Sequence, residues 1–454
     1  MIVLKDCFCV YDGKQRHFNK NVIIRDNIIE AMTDSSDTSF MNEEPLPELI
    51  DCSTHIVTPG FINTHHHFYQ ILTRNLPAVQ NVELFDWLVY LYDIWKNIND
   101  EAVYYSSMAA IGELMKTGCT CSSDHHYLYP TDFNGDIMAL QFEAADKLGI
   151  RFSPTRGSMS LSRKDGGLPP DSVVQSEDVI LKDCERVLKD FHDPSPLSMR
   201  RVVLAPCSPF SVTKQLMKDS AELARSKGAR IHTHLAETFD ENEFCIKQYG
   251  VRPLELMAEC GFTGPDVFYA HGIHFNDDEL KMLRDEGCSI SHCPSSNMRL
   301  GSGIARIREM LEMGINVSLA VDGSASNDSS DMLGEIRNAL LLQRVSGGAS
   351  AMTAEQAFDI AAAGGARALG FPQCGFIKSG MAADLAVFNL ESLGYAGALS
   401  DPLAALIFCG YNHQTEYTIV NGRITVREGV LTGFDEELLT VEVNRIAREL
   451  TRPS

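Results

Sequence analysis

Two histidines near position 66 are spaced to hold one metal ion. His65 and His67 stand two residues apart in the segment PGFINTHHH, which spans residues 59–67. If this segment is a strand, both side chains point to the same face and His66 points to the other. An HxH pair of this kind is typical of zinc sites, although such pairs also occur among structural histidines. The pair predicts a metal site if further ligands converge on it.

Further candidate ligands stand at the ends of later apolar segments. The sequence reads IHTHLAE at 231–237, AHGIH at 270–274 and LAVDGSASND at 319–328. Imidazoles with a carboxylate form a nitrogen and oxygen site that suits zinc and also accepts iron. Such a site leaves a position for water, and the ion lowers the pKa of that water enough to give hydroxide near neutral pH. The pattern therefore predicts a metal-activated water.

The elements that must position these residues alternate between strand and helix patterns. Between residues 58 and 370, apolar segments such as 201–206, 230–235 and 316–322 each follow a helix-like stretch. Repeated strand and helix units predict an α/β fold with a parallel sheet and helices outside it. Because the candidate ligands stand at strand ends, where barrel active sites lie, we expect a closed (β/α)8 barrel of the TIM type.

The two chain ends have a different pattern. Residues 1–57 alternate apolar and polar side chains between turn signals, which predicts antiparallel hairpins. The pattern returns at 383–389 and 416–426, where Asn421-Gly422 is a strong hairpin turn. We therefore predict two domains. Residues 1–57 and 371–454 form a small β-sandwich with a C-terminal segment, and residues 58–370 form the catalytic barrel.

Composition excludes several kinds of partner. The formal net charge of −22 would repel both a phosphate backbone and an anionic membrane surface, so neither nucleic acid nor membrane is expected as a partner. Thirteen cysteines without a secretory leader predict reduced thiols and a cytoplasmic location. No uncharged apolar run of membrane-spanning length is present in the sequence. A small neutral heterocycle is compatible with this charge.

The segments PGFINTHHH, HTHLAE, AHGIH and VDGSASND, in this order, closely resemble the signatures of the amidohydrolase superfamily. In that family both histidines of HxH, the first histidine of HxxE and the aspartate ending the last barrel strand hold one divalent metal. The resemblance implies one divalent ion here, zinc or alternatively iron. The implied ligands are His65, His67, His234 and Asp322.

The same resemblance implies catalytic roles for three residues. Glu237 would shuttle protons, which attack on an amidine-like ring carbon requires. His271 would polarise the attacking water or stabilise the developing charge without binding the metal tightly. Asp322, besides binding the ion, would accept the proton of the water. A carboxylate that stabilises the first turn of a helix is the alternative interpretation of Glu237.

The fourth barrel strand bears on the number of metal ions. Binuclear members of the superfamily bridge their metals with a lysine carbamate or a glutamate on this strand. The corresponding stretch VLAPCSPFSV at 203–212 offers neither. The resemblance therefore implies a single ion, as in the metal-dependent aminohydrolase branch, whose members commonly form dimers.

Other segments narrow the resemblance within that branch. HHHFYQ at 65–70, SSDHHY at 122–127 and RGSMS at 156–160 are most similar to the 8-oxoguanine deaminases, and isoxanthopterin deaminases are close relatives. Cys207 stands where many neighbouring deaminases carry histidine. The resemblance implies hydrolytic deamination of an oxidised purine, 8-oxoguanine first. Deamination of isoxanthopterin or guanine, hydrolysis of a triazine, and a non-catalytic binding module are the alternatives.

An oxidised purine presents carbonyls and ring N–H groups, so its pocket needs amide, guanidinium or hydroxyl partners. Gln70 follows the HxH segment by one helical turn and is the first candidate. Trp87 is equally compatible with the hydrophobic core, and His125 with orienting a neighbour. The predicted substrate-binding residues are Gln70, Trp87, His125, Arg156 and Ser208.

Overall fold

The computed structural model of the protein describes residues 1–409 and 412–452, and its elements are numbered here in chain order. The strands are β1 (Ile2–Tyr11), β2 (Arg16–Arg25), β3 (Ile28–Asp34), β4 (Glu48–Asp51), β5 (His55–Pro59), β6 (Phe61–Asn63), β7 (Cys119–Ser122), β8 (Arg151–Phe152), β9 (Thr155–Ser158), β10 (Val203–Pro206), β11 (Arg230–Leu235), β12 (Val267–His271), β13 (Ser289–His292), β14 (Asn316–Leu319), β15 (Leu385–Asn389), β16 (Tyr417–Val420), β17 (Arg423–Arg427) and β18 (Val430–Leu431).

The α-helices lie mainly between the strands of the middle of the chain. They are α1 (Leu84–Trp95), α2 (Asp100–Lys116), α3 (Ile137–Leu148), α4 (Glu177–Phe191), α5 (Lys214–Ser226), α6 (Phe239–Tyr249), α7 (Pro253–Glu259), α8 (Asp277–Glu286), α9 (Pro294–Arg299), α10 (Ile307–Glu312), α11 (Ser324–Asn327), α12 (Met332–Gly347), α13 (Ala354–Ala361), α14 (Ala363–Leu369), α15 (Pro402–Phe408) and α16 (Glu436–Leu450). A 3-10 helix, Phe68–Thr73, directly follows the HxH segment.

Local sequence explains where several helices begin and end. The side chain of Asn276 accepts hydrogen bonds at the start of α8, and the carboxylate of Glu279 accepts one from the backbone N–H of Asn276, which completes a capping box. Asp136 caps α3 through the backbone N–H of Ala139. Gly149 ends α3 with φ of 83°, a left-handed conformation that glycine adopts without steric cost.

Strands from both chain ends pair in one nine-stranded sheet. Its order is β18-β17-β16-β15-β5-β1-β2-β3, with β4 beside β1, so β5 links the two ends. The predicted turn at Asn421-Gly422 joins β16 to β17, and both residues have positive φ, 50° and 75°. Shared pairing of the ends was predicted from the sequence, and the face-to-face form of a sandwich stays a prediction. Residues 410–411 and 453–454 of the predicted segment 371–454 lie outside the described residues.

The middle of the chain forms two parallel sheets. One has six strands in the order β14-β13-β12-β11-β10-β9, and the other has three in the order β6-β7-β8. The predicted α/β class and parallel pairing are confirmed. At one side, the N–H of Thr64 after β6 donates to the carbonyl of Leu319 in β14, at 3.2 Å. At the other side, β8 and β9 are separated by Ser153 and Pro154.

A buried ion pair ties the parallel strands to the nine-stranded sheet. Arg151 of β8 donates from Nε to Oδ2 of Asp384 at 2.8 Å, and from Nη2 to Oδ1 at 3.1 Å. Asp384 lies just before β15 and also accepts from the backbone N–H of Asn421 at 2.7 Å. Both charged side chains are buried, so the pair fixes the two sheets against each other.

Within the residues that the structure describes, no helix is both long and apolar enough to cross a membrane.

Candidate metal centre and active site

The predicted metal ligands converge at the C-terminal ends of parallel strands. His234 lies in β11 and Asp322 follows β14. The sequence predicts His65 and His67 within a strand, but β6 ends at Asn63 and both histidines lie in the segment just beyond it. The N–H of Asp322 donates to the carbonyl of His65 at 3.1 Å, so this segment still runs beside the one after β14.

The ligand atoms face one another over short distances. Nε2 of His67 lies 3.2 Å from Nε2 of His234 and 3.3 Å from Oδ1 of Asp322. Nε2 of His65 lies 3.5 Å from the same oxygen. His66 points away, as predicted, and its Nε2 lies 2.9 Å from the hydroxyl of Ser330. One ring nitrogen from each of His65, His67 and His234 thus lies within 4.8 Å of the others, and Oδ1 of Asp322 lies beside those of His65 and His67.

The remaining nitrogen of each of these imidazoles has a partner outside the cluster. Nδ1 of His67 lies 2.7 Å from the carbonyl of His125, and Nδ1 of His234 lies 2.7 Å from the carbonyl of Cys207. Nδ1 of His65 lies 2.7 Å from Nε2 of His232. Because a carbonyl accepts the proton of Nδ1, the Nε2 lone pair is left to point into the cluster.

These residues fit a divalent cation. Nε2 of His65 is buried and has no hydrogen-bond partner among the described residues, which is costly unless an ion binds it. Burial lowers the pKa of both His65 and His234 well below the usual value, so these imidazoles are neutral, as metal ligation requires. Burial raises the pKa of Asp322, but the neighbouring rings of His65 and His67 outweigh burial and hold this pKa well below its usual value.

A sharp turn after β11 brings Glu237 to the cluster. Ala236 has φ of 55°, and the backbone N–H groups of Ala236 and Glu237 donate to the carboxylate of Glu241 at 2.8 and 3.2 Å. Burial and the nearby charge of Asp322 raise the pKa of Glu237 well above its usual value. Sequence reasoning missed Glu241, although a carboxylate in the first turn of a helix after the HxxE segment is a recognisable signal.

His271 lies at the end of β12 and faces Glu237. Nε2 of His271 is 3.5 Å from Oε2 of Glu237, and φ of 71° at His271 turns its backbone at the end of the strand. Burial lowers the pKa of His271 to about 4, so the ring is neutral. Glu237 and His271 thus stand together beside the candidate ligands.

A narrow cavity opens beside the cluster. Its walls are mostly apolar and aromatic, and α1 supplies Leu84, Trp87, Leu88 and Tyr92. Oε1 of Gln70 and Nε1 of Trp87 are buried, and neither has a hydrogen-bond partner in the described chain. The lining residues are His67, Gln70, Leu84, Trp87, Leu88, Tyr92, Tyr127, Cys207, Phe210, His234, Glu237, His271, Leu300, Asp322 and Ser326.

The structure brings two of the five predicted substrate-binding residues, Gln70 and Trp87, to this cavity. His125 lies against the ligand cluster and not in the cavity wall: one of its ring nitrogens is within 4.8 Å of those of His65, His67 and His234. Its ring stacks on that of His234, and its Nε2 is 3.2 Å from the carbonyl of Ala205. The hydroxyl of Ser208 lies 2.7 Å from that of Ser211 instead of facing the cavity. His125 and Ser208 are therefore not among the cavity wall residues.

Arg156 also lies away from the cavity. Its guanidinium donates to Asp183 at 2.6 Å and to Gln175 at 2.8 Å, and it stacks on the ring of Tyr129 at 3.7 Å. The guanidinium of Arg156 is thus occupied by these partners and does not line the cavity. The prediction that Arg156 binds the base is corrected accordingly. Strand β9 directs the side chain of Arg156 outward, and this register is not evident from the sequence.

Comparisons with known proteins agree with this geometry. Residues 56–425 match the model of the amidohydrolase family. The 8-oxoguanine deaminase of Pseudomonas aeruginosa is 45% identical over 392 residues, which cover 86% of this chain and 87% of that protein.

The chain belongs to the amidohydrolase family.

Two further relatives of this amidohydrolase are informative. An isoxanthopterin deaminase from an unknown prokaryotic organism is 35% identical, over 90% of this chain and 88% of that protein. The crystal structure of an atrazine chlorohydrolase from Arthrobacter aurescens TC1, complexed with zinc, superposes with a TM-score of 0.93. It is 27% identical and covers 98% of this chain and 100% of that one. The amidohydrolase is thus a hydrolytic aminohydrolase that acts on C–N bonds, in a metal-dependent family.

Proposed function

We propose that this amidohydrolase hydrolytically deaminates an oxidised purine base, with 8-oxoguanine as the leading substrate and urate and ammonia as products. The observation that carries the proposal is the pair of unpartnered polar groups, Gln70 and Trp87, in a narrow aromatic cavity beside the ligand cluster. The relative named 8-oxoguanine deaminase supports the choice of base.

The two unpartnered groups match the edge of a lactam ring. The amide of Gln70 offers an acceptor and a donor side by side, and the indole of Trp87 adds a donor. Leaving such buried groups unpaired costs roughly 1–3 kcal/mol each, so a ring that pairs with them is favoured. 8-Oxoguanine presents adjacent N–H and carbonyl groups on both of its rings.

One divalent ion, zinc in our proposal, would be held by His65, His67, His234 and Asp322. We infer that the two parallel sheets close into a (β/α)8 barrel through the bonds between the segments after β6 and β14. The barrel domain would span residues 58–370. The sandwich domain would combine residues 1–57 with 371–454.

The mechanism assigns each chemical task to a residue beside the cavity. When bound, the ion supplies a water of lowered pKa. Asp322 would accept one proton from the attacking water as the water oxygen bonds to the amine-bearing carbon. Glu237 would give its proton to the adjacent ring nitrogen, take up the remaining hydroxyl proton and pass it to the leaving amine, so that the C–N bond breaks and ammonia departs. The proton held by Asp322 would then return to Glu237. His271 hydrogen-bonds the oxygen that attacks.

Isoxanthopterin is the second candidate substrate. It presents a comparable lactam edge next to an amine-bearing carbon, and a relative of that name is 35% identical. The apolar walls of the cavity accept either bicyclic ring. We therefore expect discrimination between the two rings to depend on other lining residues, such as Phe210 and Leu300.

A direct test measures ammonia release from purified, zinc-loaded protein. The panel is 8-oxoguanine, isoxanthopterin, guanine, cytosine and an aminotriazine. We expect the largest kcat/KM with 8-oxoguanine and loss of activity after chelation, restored by added zinc. A larger kcat/KM with isoxanthopterin would move the assignment to the pterin. No ammonia release from any of the aminated rings would refute deamination.

A further inference from the structure

Asn297 contacts the nitrogen of His271 that faces away from Glu237. Nδ2 of Asn297 lies 2.9 Å from Nδ1 of His271, and both residues are almost completely buried. Asn297 belongs to the short helix α9, which follows β13. The two residues belong to separate strand-to-helix units, so the sequence does not indicate that they meet.

Neighbouring contacts hold Asn297 in place. The hydroxyl of Ser296 donates to that of Ser326 in α11 at 2.9 Å, and the N–H of Ser295 donates to Glu335 of α12 at 3.2 Å. The N–H of Asn297 itself donates to the carbonyl of Cys293 at 3.0 Å. Helix α9 is thus fixed on two sides, so the amide meets the imidazole in one defined position.

The chemistry of the two groups determines where the imidazole proton lies. In this orientation of the amide, Nδ2 of Asn297 donates and Nδ1 of His271 accepts, because an amide nitrogen donates hydrogen bonds and does not accept them. A neutral imidazole that accepts at Nδ1 carries its proton on Nε2. That Nε2 faces Oε2 of Glu237 at 3.5 Å and borders the cavity.

We propose that Asn297 is a positioning residue that keeps the proton of His271 on Nε2. His271 then serves as a hydrogen-bond donor into the cavity and has no free lone pair on Nε2 for a metal ion. This separates His271 from His65, His67 and His234, whose Nε2 atoms are lone-pair donors. The role of the donor in deamination rests on the proposed function, but the proton position does not.

The first experiment locates the proton directly. Zinc-loaded protein labelled with ¹⁵N in its imidazoles is measured by NMR, and the His271→Gln spectrum identifies the two signals of His271. We expect Nε2 to have the shift of a protonated nitrogen and Nδ1 that of an unprotonated one. The reverse pattern would overturn the proposal, and so would a metal-bound Nε2.

The second experiment removes the donor with little change of shape. In Asn297→Asp the carboxylate can only accept, so the proton of His271 should move to Nδ1. We expect kcat to fall by ~10²-fold or more, with KM and zinc content unchanged, because a histidine held in the wrong tautomer loses its catalytic hydrogen bond. Ser295→Ala, in the same helix but hydrogen-bonded to Asn338, is the control and should keep full activity.

The outcomes separate this proposal from the proposed function. Full kcat in Asn297→Asp, or a lower kcat with the proton still on Nε2, would overturn the role of Asn297. If Asn297→Asp does not fold or retain zinc, the wild-type spectrum alone decides. If no ring releases ammonia, the deaminase proposal fails while the spectrum still tests the proton position.

Discussion

Gly323 makes room for the amide of Gln70. Gly323 follows Asp322, and a Cβ built on it would overlap Oε1 and Cδ of Gln70. Its φ of −70° and ψ of 140° are open to any residue, so its need for glycine is steric and not conformational. The ligand segment after β14 and the 3-10 helix after the HxH segment therefore depend on each other.

Gly323→Ala should displace Gln70 without unfolding the chain. We expect KM for the best lactam substrate to rise by ~10-fold, because the displaced amide no longer pairs with the ring edge. Zinc content should not change. Steady-state kinetics of Gly323→Ala, Gln70→Ala and the double variant provide the measurement.

The double variant tests whether Gly323 acts through Gln70. If Gly323→Ala acts through Gln70, adding Gln70→Ala to it should cost little more. Additive losses, or zinc loss in Gly323→Ala, would show that the glycine acts on Asp322 instead.

Glu237→Gln should abolish proton transfer and keep the site intact. We expect kcat to fall by ~10²- to 10⁴-fold, since the amide cannot carry a proton between ring nitrogen and leaving amine. Elemental analysis should find the same zinc content as in the unchanged protein. Glu243→Gln, at an exposed position in the same helix α6, is the control. An active Glu237→Gln would remove this carboxylate from the mechanism.

At the scale of single residues, the sequence identified the candidate metal ligands more readily than the groups that orient them. His65, His67, His234 and Asp322 stand in ordered motifs, so their convergence was expected and the structure brings them together. Their outer partners include the carbonyl of Cys207, and a backbone carbonyl has no signature in the sequence. Arg156 was misplaced because residue type does not reveal which face of a two-sided strand it occupies.

Helix α1 closes one side of the cavity. Leu84, Trp87 and Leu88 face the interior, whereas Tyr90 is 46% exposed on the opposite side. A helix with one apolar face and one exposed face packs in this way on the ends of parallel strands. Because these side chains line the cavity, we expect α1 to favour a free base over a base with a bulky substituent.

Leu88→Ala tests this wall. Removing the branched end of the side chain should raise the kcat/KM of an N9-substituted purine relative to the free base by ~10-fold, because a pocket discriminates by that order for a few methylene groups. Tyr90→Ala should leave the ratio unchanged. An unchanged ratio in Leu88→Ala as well would mean that α1 does not limit substrate size.

Element types followed from periodicity, but boundaries did not. Short apolar segments became β10, β11 and β14, as their pattern indicated. The HxH segment was placed in a strand, yet β6 is three residues long and ends before His65. Pairing partners decide where a strand ends, and these come from distant parts of the chain.

At the scale of the whole molecule, the buried ion pair of Arg151 and Asp384 connects two sheets. It joins the sheet of β6, β7 and β8 to the sheet built from both chain ends. Removing one partner of a buried pair leaves an uncompensated charge and costs about 3–5 kcal/mol.

Asp384→Ala should therefore lower the thermal unfolding temperature strongly. Asp278→Ala is the matched control. It removes the surface pair of Asp278 with Lys281, and exposed pairs of this kind contribute about 0–1 kcal/mol. Calorimetry of both variants with bound zinc is the measurement. Equal, small shifts in the two variants would show that the buried pair does not hold the sheets together.

Because both chain ends join in one sheet, this sheet cannot finish folding until the C-terminal strands have been synthesised. Strand β5 pairs with β1 on one side and with β15 on the other, and β6 begins after a single residue, Gly60. A ribosome must therefore synthesise all of the catalytic segment before β15 reaches β5. Until then β5 presents an open edge that attracts other strands. Slow translation or truncation before residue 385 should lead to aggregation of the nascent chain, even when every catalytic residue has been made.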